Sequence, residues 1–501
     1  MFALRRIGID THYEHVVLIH QRAVEEGALG FKPLDRVRVI GNDPESGEER
    51  EITGVLNFCA NKLLGVDEVG LSEDAFRDLG LVEGSTVRAT HARAPESVER
   101  VRGKLAGSRL SRQDFDAILA DVVERRYSKV ELTMFVLACA LRQLDAEELV
   151  AFTKAMIHCG SQLDFGAGPV ADKHSIGGIP GNRTTMVLVP ILASLGVVVP
   201  KTSSRAITSP SGTADTMAVL ADVELSSARI HRVVDQTGGC IAWGGALDLA
   251  PADDVLITVE RPMGIDTEAQ MVASILAKKK TAGATHALVD IPVGPTAKVR
   301  TQEQADLLSA LFAGVARAIG LSVDVVSTSA RGPIGRGVGP RLEALDALSV
   351  LRREPDAPLD LREKALYLAA RILERVGAVP DAGGYRAASR ALDSGAAEAR
   401  FDQIVDAQGR RRIPDVARHR CEILSPRDGR ISEIDCWEIN KVARLAGAPA
   451  NAAAGVRMLR GLGDIVTRGE PLFEIHAQSQ TQLDFAREYA ERSPHIHRFG
   501  Y

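Results

Sequence analysis

The sequence predicts a multi-domain α/β protein: an all-α lobe, an α/β lobe on a mixed, mostly parallel sheet, and one extra module at each end. The chain has 501 residues, whereas a single hydrophobic core stops growing at about 250 to 300 residues. Extended apolar segments alternate with helical ones after residue 169, which is typical of α/β sheets. Between residues 111 and 159 the apolar periodicity is helical alone.

Composition narrows the class of function. The net charge is −5, with 45% hydrophobic and 25% charged residues and no basic block, which argues against a nucleic-acid surface. Six cysteines are scattered without C-x-x-C spacing, which suits a reducing cytoplasm and predicts no metal site. The N-terminal segment lacks the apolar core of a signal peptide, so we expect a cytoplasmic protein that is neither exported nor bound to a membrane.

The first two regions differ in periodicity. Residues 1–92 form the N-terminal β-rich module, in which RVRVIG and REITGVLNF alternate on either side of a turn at Asp43 and Gly47. Residues 100–168 form the helical lobe, where Ser111 can cap the first helix.

The α/β lobe is expected over residues 169–415. Its strands are predicted in VVV, VLITV, HALVDIPV and LSVDVVSTS, and its helices near residues 183–195, 216–220 and 302–319. The Gly-rich run 327–345 is either a tight loop or a second anion site. Residues 416–501 are expected to form a C-terminal α+β domain, with strand-turn segments on either side of a helix near residues 437–445.

One stretch, residues 172–215, concentrates the residue types that bind anions. Two Gly- and hydroxyl-rich turns there each follow an extended segment, and helices open near residues 182 and 211. Helix N-termini present unpaired N–H groups and a positive dipole end, so tandem turns of this kind favour phosphate binding. The candidate ligands are Lys173, Ser175, Ser203, Thr213 and Thr185.

Several motifs carry a family resemblance. The runs KHSIGG, SSRAIT, GTADT, LAPADD, SILAKK and PVGPTAK resemble the thymidine and pyrimidine nucleoside phosphorylases, and most of all their AMP phosphorylase branch. The resemblance implies the nucleoside phosphorylase/phosphoribosyltransferase type of fold, with residues 266–284 returning to the helical lobe. It also implies phosphorolysis with inorganic phosphate as co-substrate, no other cofactor and no metal, and a homodimer or larger homo-oligomer.

The same resemblance suggests two catalytic groups. His174 occupies the histidine position of the motif and can serve as an acid near neutral pH; an imidazole that only packs beside the loop is the alternative. Asp266 matches the aspartate that donates a proton in the AMP phosphorylase branch. It would need a raised pKa for this role, and from the residues alone it is equally suited to cap a helix.

Substrate contacts follow from the matched positions. They are Gly178, Ser204, Arg205, Ala206, Ile207, Thr208, Ser209, Thr213, Ser274, Lys278 and Lys298. Ser274 and Lys278 are four residues apart on a predicted helix and share one face, whereas Lys279 and Lys280 are expected to face solvent. Arg205 and Lys298 could receive a 5′-phosphate, and Arg261 is an uncertain counterpart of the base-contacting arginine.

The substrate and two other functions stay open at this stage. A nucleoside and a nucleoside 5′-monophosphate are both compatible with the motifs. An anthranilate-type phosphoribosyltransferase would use Mg²⁺, for which the first Gly-rich loop offers no acidic pair. A non-catalytic binding protein with the same fold is the second alternative.

Overall fold

A computed structural model describes residues 1–27, 30–60, 62–207, 209–265 and 267–500. The chain divides into two compact units. The first contains Met1–Gly160 and Ala250–Ala277, and the second contains Ser161–Leu249 and everything from Lys278 onward. Within the described residues, every helix is too short or too polar to cross a membrane.

The elements are numbered in chain order. The strands are β1 (Phe2–Arg6), β2 (Val16–His20), β3 (Arg36–Asn42), β4 (Glu49–Cys59), β5 (Glu68–Leu71), β6 (Thr86–His91), β7 (Ala171–Ser175), β8 (Val199–Ser203), β9 (Gly239–Trp243), β10 (His286–Val293), β11 (Ser322–Ser329), β12 (Gly337–Val338), β13 (His419–Leu424), β14 (Gly429–Ile434), β15 (Gly455–Met458), β16 (Ile465–Val466), β17 (Pro471–Ala477) and β18 (His497–Gly500).

The helices are α1 (Gln21–Gly27), α2 (Glu73–Leu79), α3 (Ser97–Leu105), α4 (Arg112–Val123), α5 (Lys129–Leu141), α6 (Ala146–His158), α7 (Thr184–Ser194), α8 (Thr213–Ala218), α9 (Ser227–Thr237), α10 (Pro251–Met263), α11 (Glu268–Thr281), α12 (Gln302–Ala318), α13 (Pro340–Leu351), α14 (Leu359–Arg375), α15 (Gly384–Asp393), α16 (Ala396–Gln408), α17 (Cys436–Leu445) and α18 (Gln480–Arg492).

The N-terminal module is a closed barrel with strand order β1-β5-β2-β4-β3-β6. Strands β3 and β4 pair antiparallel across the predicted turn, with Arg36 opposite Val55 and Asn42 opposite Glu49. Alternate residues point into the barrel, as the two-residue period requires, and Val37 and Val39 are fully buried there. The predicted β-rich character of this region is confirmed.

Helices α3 to α6, with α10 and most of α11, supply the all-α part of the first unit. Ser111 caps α4 in a reciprocal capping box with Asp114, as the sequence indicates. Phe115, Phe135 and Phe152 of α4, α5 and α6 are fully buried, and the Phe115 and Phe152 rings lie 5.2 Å apart. An aromatic core therefore holds this helical bundle together.

The α/β part of the second unit is built on parallel strands. One sheet has the order β11-β10-β7, and β8 pairs with β9 beside it. A parallel bridge between Val170 and Val198 links β7 to β8. Helix α7 is buried along most of its length against this core. Because all five strands are parallel, their carboxyl ends meet at one edge, where ligands bind in such sheets.

The predicted strand in VLITV, residues 255–259, is wrong. This segment lies inside helix α10. Pro251 occupies the first turn of that helix, where its missing N–H costs nothing, and Asp253 and Asp254 follow at the positive dipole end. These start signals and the tertiary packing of the buried Val255, Leu256 and Val259 outweigh the β propensity of the run.

The Gly-rich run 327–345 forms the predicted tight loop before α13. Its backbone N–H groups already donate to carboxylates: Gly335 to Asp360 (2.9 Å), and Arg336 and Gly337 to Asp346 (2.6 Å each). Bound carboxylates occupy the donors that a second anion would need, so the structure does not support a second anion site here.

The C-terminal α+β domain carries the strands and helix expected around residues 437–445. Its main sheet has the order β12-β15-β17-β13, so β12 of the Gly-rich run is part of it. Helices α17 and α18 cover a core that includes Ile439, Val442 and Phe473. This domain is therefore continuous with the α/β part through main-chain pairing.

Candidate active site

The sequence motifs converge on the carboxyl edge of the parallel strands. Strand β7 ends at Ser175 and β8 ends at Ser203, and both serines are half-buried. Helix α8 begins at Thr213, whose N–H lies at the positive end of the helix. Three predicted phosphate ligands thus lie at strand ends or at a helix start on this edge.

The segment Asn182–Thr184 connects the first cluster to the start of α7. The Lys173 Nζ donates to Thr184 Oγ1 at 2.9 Å, and the Asn182 Nδ2 donates to Ser175 Oγ at 3.2 Å. Thr184 Oγ1 in turn donates to Asn182 Oδ1 at 3.3 Å. The orientations of Lys173 and Ser175 are therefore set by a continuous chain of hydrogen bonds. Thr185, the weaker candidate, is buried in the first turn of α7.

Arg183 joins this segment to the start of α8. Its guanidinium donates to Thr213 Oγ1 and to the carbonyl of Ser211, each at 3.0 Å, and forms an ion pair with the fully buried Glu343. A planar guanidinium fixes several partners in one geometry, so Arg183 positions Thr213 relative to the first cluster.

The buried carboxylate of Asp290 lies close to the ammonium groups of two lysines. Asp290, in the middle of β10, is fully buried and lies 2.9 Å from the Lys364 Nζ and 3.8 Å from the Lys173 Nζ. It also accepts hydrogen bonds from Thr328 (2.6 Å) and Asn182 (3.5 Å). Burial lowers the pKa of Lys173 to about 8, against the opposing attraction of Asp290.

The prediction that Lys279 faces solvent is wrong. This residue is 2% exposed and is ion-paired with Asp172, which also accepts from Lys201 at 3.0 Å. An unpaired ammonium group would be costly at this depth, and one carboxylate between two lysines compensates only part of their charge. Burial lowers the pKa of Lys279 to about 7, against the attraction of Asp172, so the cluster carries its full net positive charge beside β7 only below that pH. Lys280, by contrast, donates to the carbonyl of Gly320 at 3.2 Å.

His174 lies between these charged groups on β7. Burial comes first among the causes that hold the pKa of its imidazole well below the usual value, and neighbouring ammonium groups add to the effect. Those groups belong to Lys279, Lys201, Lys173 and Lys278. The imidazole is consequently neutral at pH 7, which disfavours the acid role suggested by the motif and favours a neutral hydrogen-bonding role.

The loop after β8 is held from the inside by Asp215. Its carboxylate accepts hydrogen bonds from the backbone N–H groups of Ala206 (2.6 Å) and Gly212 (2.8 Å). Arg205 pairs with Asp215 at 3.3 Å and Glu224 at 2.8 Å, and its guanidinium stacks 4.8 Å above the Trp243 ring. Two carboxylates already neutralise Arg205, which weakens it as a 5′-phosphate ligand. Ser204 is exposed and Ser209 donates to the carbonyl of Ser211.

The structure brings Gly178 and Lys298 together. Gly178 has a φ of +90°, and a Cβ there would lie 2.9 Å from the backbone nitrogen of Lys298. Only glycine fits both requirements. Lys298 belongs to a short loop after β10, in which Ala297 N donates to the carbonyl of Gly294 at 3.0 Å. The half-buried Lys298 thus lies beside the Gly-rich turn that follows β7.

The remaining predicted site residues lie in the first unit, in the second unit or outside the described residues. Ser274 lies on α11 and Arg261 on α10, both in the first unit, whereas Lys278 lies near His174 in the second. Helix α11 confirms that Ser274 and Lys278 share one helix. Asp266 and Thr208 lie outside the described residues.

Comparison with protein-family models identifies the class of protein to which the chain belongs. Residues 99–160 match the family described as glycosyl transferase family, helical bundle domain, and residues 167–398 match glycosyl transferase family, a/b domain. Residues 430–497 match the pyrimidine nucleoside phosphorylase C-terminal domain. These three matches describe a pentosyltransferase with a helical lobe, an α/β lobe and a C-terminal domain.

Relatives that align with nearly the whole chain identify its family. A protein named "Putative thymidine phosphorylase" from Polaromonas sp. strain JS666 is 48% identical over 97% of this chain and 94% of its own length. One of the same name from Methylococcus capsulatus is 46% identical over 97% of this chain and 93% of its own. The chain therefore belongs to the thymidine and pyrimidine nucleoside phosphorylase family, and the predicted family is confirmed.

Solved structures agree on the fold alone. Anthranilate phosphoribosyltransferase from Thermus thermophilus superposes with a TM-score of 0.53 and 19% identity, over 62% of this chain and 98% of its own. The enzyme from Saccharomyces cerevisiae, solved with PRPP and Mg, gives 0.50 and 15%, over 62% and 97%. These structures confirm the predicted combination of a helical and an α/β lobe.

Proposed function

We propose that this chain cleaves the N-glycosidic bond of a pyrimidine nucleoside such as thymidine with inorganic phosphate, giving the free base and a pentose 1-phosphate. The observation that carries the proposal is the 182–184 segment. Its three side chains orient Ser175, Lys173 and Thr213 through hydrogen bonds of 2.9 to 3.2 Å. Fixed hydroxyl donors and a cation at a helix start are the groups that a phosphate dianion needs.

Phosphate binding is assigned to Lys173, Ser175, Ser203 and Thr213, with Thr185 as a minor candidate. The net positive charge beside β7 favours the dianion before reaction and the phosphate–sugar transition state during it. Holding phosphate and nucleoside together makes the attack effectively unimolecular. In this mechanism the phosphate oxygen bonds to the anomeric carbon as the bond to the base nitrogen breaks.

The departing base must gain a proton or a hydrogen bond. His174, which is neutral at pH 7, can donate one N–H hydrogen bond to the base without transferring its proton. Asp266 is proposed as the proton donor from the family resemblance, because the corresponding aspartate has that role in the AMP phosphorylase branch. Asp266→Asn should abolish turnover while leaving substrate binding largely intact.

A nucleoside 5′-monophosphate is the second candidate substrate, and one contact favours it. The backbone nitrogen of Lys298 lies against Gly178, so the Lys298 side chain begins beside the Gly-rich turn. An ammonium group there could bind a 5′-phosphate, and the family resemblance proposes Ser274 and Lys278 for the base. The product would then be ribose 1,5-bisphosphate.

One substrate panel separates the candidates. Purified protein is incubated with phosphate and, separately, thymidine, uridine, AMP, CMP or UMP, and the released base is measured by chromatography. Release from thymidine or uridine alone supports the first proposal, and release from the monophosphates alone supports the second. A separate incubation with a pyrophosphate-bearing sugar and Mg²⁺ tests the third candidate: Mg²⁺-dependent consumption of that sugar, with no base release in the panel, would support a phosphoribosyltransferase.

A further inference from the structure

Helix α17 of the C-terminal domain contacts both loops that carry substrate candidates. At its first residue, the backbone N–H of Cys436 donates to Thr296 Oγ1 at 3.1 Å, and Thr296 belongs to the loop that includes Lys298. In its last turn, one guanidinium nitrogen of Arg444 donates to the carbonyl oxygens of Ile207 (3.0 Å) and Ser209 (3.4 Å). The two ends of a single helix thus meet two separate loops.

The loop at Ile207 depends on polar contacts for its position. Ile207 is 43% exposed, so its side chain can pack over only part of its apolar surface. Asp215 holds the inner side of the loop through Ala206 N and Gly212 N. Arg444 holds the outer side, and its two carbonyl partners flank position 208. Charge-assisted hydrogen bonds of this kind are the stronger ones.

The helix itself is well anchored. Asp435 caps it by accepting hydrogen bonds from the N–H groups of Trp437 (2.9 Å) and Glu438 (3.1 Å), and Ile439 and Val442 are fully buried in the domain core. Its ten residues span about 15 Å. An anchored helix of this length acts as a rigid spacer between the two loops.

We propose that α17 is a brace that fixes the spacing between Ile207 and Ser209 in the loop after β8 and the 294–299 loop, and that Arg444 is a positioning residue for nucleoside binding. This proposal rests on the proposed function of the site. It assigns the C-terminal domain a direct part in substrate affinity. Arg444 acts through the loop backbone and not on the reacting atoms.

Kinetics test the brace with matched variants. Arg444→Ala should raise KM for the nucleoside by about tenfold, since charged hydrogen bonds to the loop are lost, while kcat changes by less than about twofold. Arg444→Lys should recover part of the affinity because it keeps one cationic donor. Arg427→Ala is the control: Arg427 is also exposed in this domain and donates to the Phe499 carbonyl at 3.1 Å, away from both loops.

Hydrogen exchange provides a measurement that needs no activity. In Arg444→Ala the amides of residues 204–207, 209, 211 and 212 should exchange faster than in the unmodified protein, while those of α7 and the thermal midpoint stay unchanged. Unchanged exchange in the loop together with unchanged KM would overturn the brace. Faster exchange in a protein without phosphorolytic activity would support the brace and refute the proposed function instead.

Discussion

The ammonium group of Lys173 lies 3.8 Å from the carboxylate of Asp290, and both side chains are buried. Asp290 comes first among the groups that oppose the lowering of the Lys173 pKa by burial. The pair therefore sets the pH up to which Lys173 carries the charge on which the proposed phosphate binding depends.

This relationship predicts that the profile of kcat/KM for phosphate against pH has a basic limb, in which activity falls as pH rises. Lys173 loses its proton as pH rises through about 8, so kcat/KM for phosphate should fall above that pH. Asp290→Asn removes the attraction that favours the charged form, so the limb should move to lower pH. The profile is measured from acidic to basic pH, on both sides of the Lys173 pKa, at saturating nucleoside.

The control for this shift is Asp324→Asn. Asp324 lies on β11, two strands from Lys173, and pairs with Arg371 at 2.8 Å; it is not among the groups that shift the pKa of Lys173. Its substitution should leave the limb in place. A limb that stays near pH 8 in Asp290→Asn would refute the coupling between Asp290 and Lys173.

His174 is predicted to remain neutral throughout the working range. Burial and four neighbouring lysines disfavour its protonated form, so its ring resonances should not titrate near neutral pH. The measurement is an NMR pH titration in which His174→Gln identifies the signal by its absence. A midpoint near the usual value for histidine would contradict a neutral imidazole and revive the acid role.

The ion pairs of Asp172 with Lys201 and Lys279 are predicted to stabilise the folded protein. Asp172→Asn leaves Lys201 and Lys279 buried without their counter-charge, which should cost about 3 to 5 kcal/mol in the free energy of unfolding. Chemical denaturation measures the loss. Adding Lys279→Met removes one of the two unpaired cations and should recover part of it. The control Asp406→Asn, at an exposed ion pair with Arg410, should leave the midpoint unchanged.

Arg183 is predicted to act by placing Thr213. Arg183→Lys keeps the charge but cannot hold Thr213, the Ser211 carbonyl and Glu343 in one plane. We expect kcat/KM for phosphate to fall by about 10- to 100-fold. Steady-state kinetics with varied phosphate make the measurement. Arg229→Lys serves as the control, since the Arg229 guanidinium binds Asp222 and the Gln408 carbonyl instead of a phosphate candidate. An equal loss in both variants would contradict the placement.

Local patterns in the sequence were sufficient for much of the fold. Ser111 followed by Asp114 predicted a capped helix, and the alternation around residues 36–59 predicted paired strands, because both signals arise from contacts between near neighbours. The two Gly- and hydroxyl-rich turns were predicted from local patterns for the same reason. Local propensity failed at residues 255–259, where buried helical packing overrode a β-branched run.

Long-range partners could not be predicted from local patterns. Lys279 follows Lys278 on a helix and was expected in solvent, but its partner Asp172 lies 107 positions earlier. Asp290 lies within an apolar strand, and no local pattern indicated that Lys364 and Thr328 would meet it. A lone carboxylate in a buried parallel strand was the available signal, since such charges need partners. Arg183 and Asn182 were missed because only the folded turn gives them their roles.

The most direct test of the proposed phosphorolysis is phosphorus NMR of the purified protein with thymidine and inorganic phosphate. We predict that a sugar 1-phosphate resonance grows while inorganic phosphate declines, in step with the thymine released and only when phosphate is present. Thymine release without phosphate consumption, or no release from any nucleoside or monophosphate under these conditions, would contradict the account.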